Sequence, residues 1–247
     1  GKTIQKPDLP KYAGSVEWAG PGDQSCAATG LVHCARLPDG AAPGQPVPAV
    51  VMLHGWGGSE GAMWVFARLI PPGAAVITPR GPVDLPQGGA AWFEYGASWA
   101  RPKPDSLLAG LEGLARFLTC LPALYPVNPA RLLLVGFSQG AMLSNALAIT
   151  RPKMVCGVAS LAGAVPPLPF AALRADLFAG FPVFIAHGIR DQTIPLSAAR
   201  QARDAYLRLG ADVTYGEYSV GHKMNTRAMN TLQAWLGQHL APQGEQG

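Results

Sequence analysis

Short runs of uninterrupted apolar residues, separated by longer segments with helical spacing, constrain this 247-residue chain more than any other feature. Val50–Leu53, Leu132–Val135 and Val183–Ala186 contain no polar residue, which suits strands buried on both faces rather than strands with one wet face. Further strands are expected near 29–36, 74–78, 154–160 and 212–218. Between them the spacing predicts helices near 61–69, 105–121, 139–150, 197–209 and 224–240. In 105–121, Leu107, Leu108, Leu111, Leu114, Ala115 and Leu118 recur at i, i+3, i+4 and i+7, one stripe that a sheet can cover. Such alternation predicts an α/β domain: a mainly parallel sheet of about seven to eight strands with helices on both faces.

The length fits one such domain, expected over 14–240, with a polar N-terminal extension at 1–13 and a fraying tail at 241–247. A hydrophobic fraction of 49% excludes intrinsic disorder. The net charge of +4 is spread without any run of Lys or Arg, so no nucleic-acid partner is expected. No stretch of 18 consecutive apolar residues occurs, so no integral membrane segment is expected. The chain starts at Gly1 without an apolar signal core, which leaves a cytoplasmic and an exported, processed protein both open. The four cysteines lack zinc spacing, and no metal site is expected. Cys120 and Cys156 fall in apolar segments and read as buried. Whether Cys26 and Cys34 form a disulfide depends on the compartment and stays open.

Gly136-Phe137-Ser138-Gln139-Gly140 lies between the 132–135 strand and the 139–150 helix. Thirty glycines and ten serines in 247 residues yield about 0.15 G-x-S-x-G matches by chance, so the motif alone is weak and its flanks decide. Strand, sharp turn and helix together put a serine hydroxyl at the C-terminal edge of the sheet, in the form of a nucleophile elbow. Ser138 is therefore the candidate nucleophile. The 50–53 strand also runs into a glycine-rich turn, His54-Gly55-Trp56-Gly57-Gly58. In this arrangement an oxyanion takes one N–H from the residue after the nucleophile, Gln139, and one from that turn, for which Trp56 is the candidate. A dinucleotide fingerprint would need glycine where Glu60 stands and an acidic residue after the 74–78 strand; both are missing, so no nucleotide cofactor is expected. His54 precedes the serine and reads as structural.

Asp191 follows the 183–186 strand in His187-Gly188-Ile189-Arg190-Asp191 and can orient an imidazole. Only His222 and His239 come after it. His239 ends the last helix, whereas His222 sits in the loop after the 212–218 strand, at the same sheet edge as Ser138. The order Ser138, Asp191, His222 matches the chain order of this arrangement.

On these residues the chain resembles the phospholipase/carboxylesterase family of α/β-hydrolases, which includes acyl-protein thioesterases. The resemblance rests on Leu53-His54-Gly55-x-Gly57, Gly136-Phe-Ser-Gln-Gly-Ala141, His187-Gly188-x-x-Asp191-x-x-x-Pro195 and Gly221-His222. Weaker echoes are Pro79-Arg-Gly-Pro82 and Trp92-Phe93-Glu94. The chain departs from the family in its N-terminal segment and at Lys223, where a hydroxyl residue is usual. The resemblance implies the α/β-hydrolase fold, hydrolysis of small-molecule esters or thioesters, no cofactor, and often a homodimer. The expected activity is that of a serine carboxylesterase on short-to-medium acyl esters. A thioesterase or lysophospholipase with the same residues is the alternative, and an inactive binding protein on this fold is the non-enzymatic one. Trp56, Met63, Trp64, Trp92, Phe93, Tyr95 and Trp99 crowd the loops near these residues and are the candidate pocket lining, although such rings serve equally well to pin a loop to the core.

Overall fold

In the computed structural model, which describes residues 3–168 and 175–241, the chain first forms β1 (Glu17–Ala19), α1 (Gln24–Thr29), β2 (His33–Arg36) and β3 (Val47–Leu53). β4 (Ala75–Pro79), β5 (Val83–Asp84) and β6 (Ala90–Ala91) follow, then α2 (Pro104–Leu124), β7 (Val127–Phe137) and α3 (Gln139–Thr150). The last part alternates β8 (Gly157–Leu161), β9 (Pro182–Gly188), α4 (Leu196–Arg208), β10 (Asp212–Tyr218) and α5 (Thr226–Leu240). Eight strands join one sheet in the order β1-β2-β4-β3-β7-β8-β9-β10, and β5 pairs with β6 apart from it. The six strands from β4 to β10 in that order are parallel, while β2 runs antiparallel to both of its neighbours, β1 and β4. This is the α/β-hydrolase fold.

The uninterrupted apolar runs explain the layering. Side chains alternate across a sheet, so a strand apolar at every position needs an apolar layer on each side. Ala49, Val51, Leu53, Leu132 and Leu134 enter a core under α2, α3 and α4. Val50, Met52, Leu133 and Val135 enter a second core under α5 and a 3-10 stretch at Ala62–Leu69. The 3-10 stretch replaces the α-helix expected at 61–69. α2 buries Leu107, Leu111, Leu114, Phe117, Leu118 and Leu121, each worth about 2 kcal/mol. By length and composition α2 would be apolar enough to cross a membrane, but its stripe is occupied by the sheet and α3.

One expectation changes and one open question is answered. Residues near 13 do not stand away from the domain: Ala13 is buried in the second core and its carbonyl accepts from the Arg36 guanidinium at 2.9 Å. Cys26, Cys34, Cys120 and Cys156 are all free thiols, so the Cys26–Cys34 bridge is not formed. Residues 242–247 of the expected tail and 169–174, between β8 and β9, lie outside the described residues.

Candidate active site

β3, β7, β9 and β10 are parallel neighbours or near neighbours, so the loops that follow them open at one edge of the sheet. Those loops carry Trp56, Ser138, Asp191 and His222. Ser138 itself forms the turn between β7 and α3, with φ 54° and ψ −115°. A non-glycine residue held there costs about 1–3 kcal/mol, and the surrounding structure must impose it. It does so through the Ser138 N–H, which donates to the Leu161 carbonyl of β8 at 2.9 Å, and through close crossing of strand and helix. A Cβ at Gly140 would overlap the Leu53 carbonyl, and one at Gly136 would overlap the Gly140 carbonyl. Both glycines of the motif are therefore sterically required.

The Ser138 hydroxyl lies 2.9 Å from His222 Nε2, and His222 Nδ1 lies 2.7 Å from Asp191 Oδ2. With its proton on Nδ1, the imidazole donates to the carboxylate and presents a bare Nε2 to the hydroxyl. The Asp191 side chain is fully buried, and its Oδ1 accepts from the N–H groups of Thr193 (2.8 Å) and Ile194 (2.9 Å). His222 is about a quarter exposed, so the hydrogen-bonded chain runs from the interior to the surface of the cleft. Such a chain can take a proton from a serine hydroxyl and return it to a leaving group.

Beside it, the backbone N–H groups of Trp56 and Gln139 have no protein acceptor among the described residues. Their neighbours are fixed: Gly57 N–H donates to Ala90 O and Gly58 N–H to Gly55 O. His54 braces this turn from below, donating from Nδ1 to Gly55 O at 2.7 Å and accepting the Gly81 N–H at Nε2, 2.9 Å. Burial, with Arg80 nearby, pushes its pKa down to about 4, so it is a neutral structural histidine.

The aromatic residues divide differently from expectation. Trp64, Trp92 and Phe93 have essentially no accessible surface and cannot wall an open pocket. Trp64 Nε1 donates to Thr78 Oγ1, and Trp92 Nε1 donates to the His54 carbonyl, both at 2.9 Å. The buried Gln139 amide accepts the Trp92 N–H and donates to the Phe93 carbonyl, each at 2.8 Å. Trp92, Phe93 and Gln139 staple the long 80–104 loop onto the elbow, because a buried loop must find partners for its backbone groups. Trp99 borders a separate hollow with Met142 and Ala202. Trp56 stays 42% exposed and stacks on Tyr95 at 5.1 Å and 17°. Trp56 and Met63 line a cleft of about 500 Å³ with Phe66, Phe137, Met224 and Met229. The two distal methionines were missed, although both follow His222 closely in sequence. Among the described residues, no cluster of three or more His, Cys, Asp or Glu side chains could hold a metal.

The chain is similar to several known hydrolases. A probable carboxylesterase of Arabidopsis thaliana is 26% identical over 66% of this chain, a match spanning 64% of that protein. Acyl-protein thioesterase 1 of Kluyveromyces lactis is 26% identical over 81% of this chain and 96% of its own. The crystal structure of the Bacillus cereus carboxylesterase superposes with a TM-score of 0.74 at 20% identity, covering 87% of this chain and 99% of that one. The family model for phospholipase/carboxylesterase matches residues 40–240, and the chain belongs to that hydrolase family.

Proposed function

We propose that the chain is a serine carboxylesterase acting on short-to-medium acyl esters. The observation that supports this best is the unbroken chain of hydrogen bonds from Ser138 Oγ through His222 to the buried Asp191, at the edge where two backbone N–H groups lack protein acceptors. Ser138 Oγ attacks the acyl carbon as its proton passes to His222 Nε2. The tetrahedral oxyanion takes the N–H groups of Gln139 and Trp56, each worth about 3 kcal/mol in the transition state. His222 then protonates the leaving alkoxide, and water repeats the sequence on the acyl-enzyme. Asp191 holds the imidazole tautomer and stabilises the imidazolium. The cleft beside Trp56 receives the acyl chain, and its volume suits a chain of modest length rather than a triglyceride.

A second reading, acyl thioester hydrolysis, uses the same residues and is favoured by the kinship with an acyl-protein thioesterase along most of the chain. The test is an organophosphonate probe with the Ser138→Ala variant, followed by aryl esters and acyl-CoA thioesters of graded length. Wild type should be labelled at Ser138, and the variant should lose about 10⁴-fold or more in kcat while keeping its fold. Absence of labelling would favour an inactive binding protein. A uniform preference for thioesters would select the second reading.

A further inference from the structure

We propose that His187, near the end of β9, is a positioning residue of this site: its Nε2–H closes the Asp191–Ile194 turn and thereby aims the Asp191 carboxylate at His222. The inference rests on the roles proposed above for Ser138, Asp191 and His222.

His187 is fully buried, with Nε2 2.8 Å from the Ile194 carbonyl and 3.4 Å from Asp191 Oδ2. Both neighbours are acceptors, so the proton must be on Nε2 and Nδ1 must be bare. Nδ1 is one of two buried side-chain polar atoms without any hydrogen-bond partner among the described residues. Buried polar atoms are nearly always paired, and an apolar side chain here would orphan the Ile194 carbonyl instead of Nδ1. What the imidazole adds at this position is therefore the Nε2–H donor.

That donor completes a grip on one residue. The Ile194 N–H holds Asp191 Oδ1 while the Ile194 carbonyl is held by His187. With Oδ1 occupied by two N–H groups, Oδ2 is left facing two imidazoles, His222 at 2.7 Å and His187 at 3.4 Å. The turn also touches the other arm of the site directly, since a Cβ at Gly188 would overlap the Gly221 carbonyl next to His222. Burial lowers the pKa of His187, and a second proton on Nδ1 would meet no acceptor. His187 thus stays neutral beside Asp191, adding a dipole but no charge that would compete with the imidazolium at His222. Glu217 of β10 is in register with His187 and acts on it electrostatically, but its carboxylate is bound to Arg200 of α4.

The experiment compares His187→Leu, His187→Gln, His187→Asn, Asp191→Asn and the double variant His187→Leu/Asp191→Asn on one aryl ester, with thermal unfolding as the folding check. A glutamine amide nitrogen reaches the place of Nε2, whereas that of asparagine stops near Nδ1. We expect His187→Leu and His187→Asn to lose about 10²-fold in kcat at nearly constant KM, the size of effect set by a misplacement of about 1 Å. His187→Gln should recover to within about 3-fold of wild type. The downfield proton resonance of His222 Nδ1–H should vanish in the first two and persist in the glutamine variant. On the Asp191→Asn background, His187→Leu should cost nothing further. If His187→Leu does not fold, the glutamine–asparagine contrast carries the decision alone. Equal losses in all three variants, a change in KM rather than kcat, or full additivity with Asp191→Asn would overturn the assignment. Wild-type turnover by Asp191→Asn would overturn the proposed mechanism as well, whereas a deficient Asp191→Asn beside a fully active His187→Leu would overturn only the role of His187.

Discussion

Trp92 and Trp56 stand at opposite ends of one expectation, and truncating each should produce opposite results. Trp92 is 1% exposed, lies against the His54 ring at 5.2 Å and donates to the His54 carbonyl. Emptying such a site costs about 3–5 kcal/mol in lost burial and cavity. The stranded His54 carbonyl adds about 1–3 kcal/mol. In a chain of this size each kcal/mol moves Tm by about 2–4 °C, so Trp92→Ala should unfold roughly 8–32 °C lower. Trp56 gives up only its stack on Tyr95, about 1 kcal/mol, so Trp56→Ala should unfold within a few degrees of wild type. Its effect belongs in the substrate profile. If the indole walls the acyl cleft, two methylenes losing contact at about 0.8 kcal/mol each lower kcat/KM roughly tenfold for the longer esters and spare the acetate. The assay is thermal unfolding plus kcat/KM on aryl esters from acetate to octanoate. A Trp92→Ala protein of wild-type stability with a reshaped profile, or a Trp56→Ala profile parallel to wild type, would refute the reasoning.

His222→Ala should lose about 10⁴-fold or more in kcat, while His239→Ala, whose ring lies on Trp235 in the last turn of α5, should stay within about 2-fold. The reverse pattern in steady-state rates would remove the chosen base. Acid should destabilise the fold before carboxylates titrate fully. Burial holds the pKa of His54 at about 4 in the folded state against an ordinary value of 6.5, so below pH 6.5 the unfolded chain binds a proton that the native state refuses. The stabilisation is complete above pH 6.5 and drains away as pH falls toward 4, a loss of about 3 kcal/mol. Urea unfolding at pH 7.5, 6, 5 and 4 measures it. A His54→Asn variant, less stable throughout, should show a shallower decline, and an equal slope would show that His54 is not the group responsible.

The sequence made strand ends and helix stripes legible because both are local patterns. β10 and α3 coincide with the spans expected from the sequence: in β10 Val213 and Tyr215 alternate with exposed Asp212 and Thr214, and α3 is a continuous helical segment, buried on every face, that follows directly on the elbow. β1 and α1 escaped notice: three and six residues hold too little periodicity to register, and their place comes from pairing with β2 and packing on α2. Ser138, Asp191 and His222 could be singled out because each follows a strand whose direction the alternation already implied. The pocket could not be read this way. Loop residues have no period, so an indole that seals the core and one that faces solvent look alike in sequence. Trp92 is committed to the core by His54, 38 residues earlier, and by Gln139, 47 residues later. Trp56 meets the cleft with Met224 and Met229, far away along the chain. The one local clue was Gln139, a wholly buried amide with two donors and an acceptor to satisfy. Any loop crossing the elbow had to offer it backbone groups. At the segment that does so, Trp92-Phe93, both rings are packed into the core, while Tyr95 and Trp99 of the same loop reach partly accessible positions.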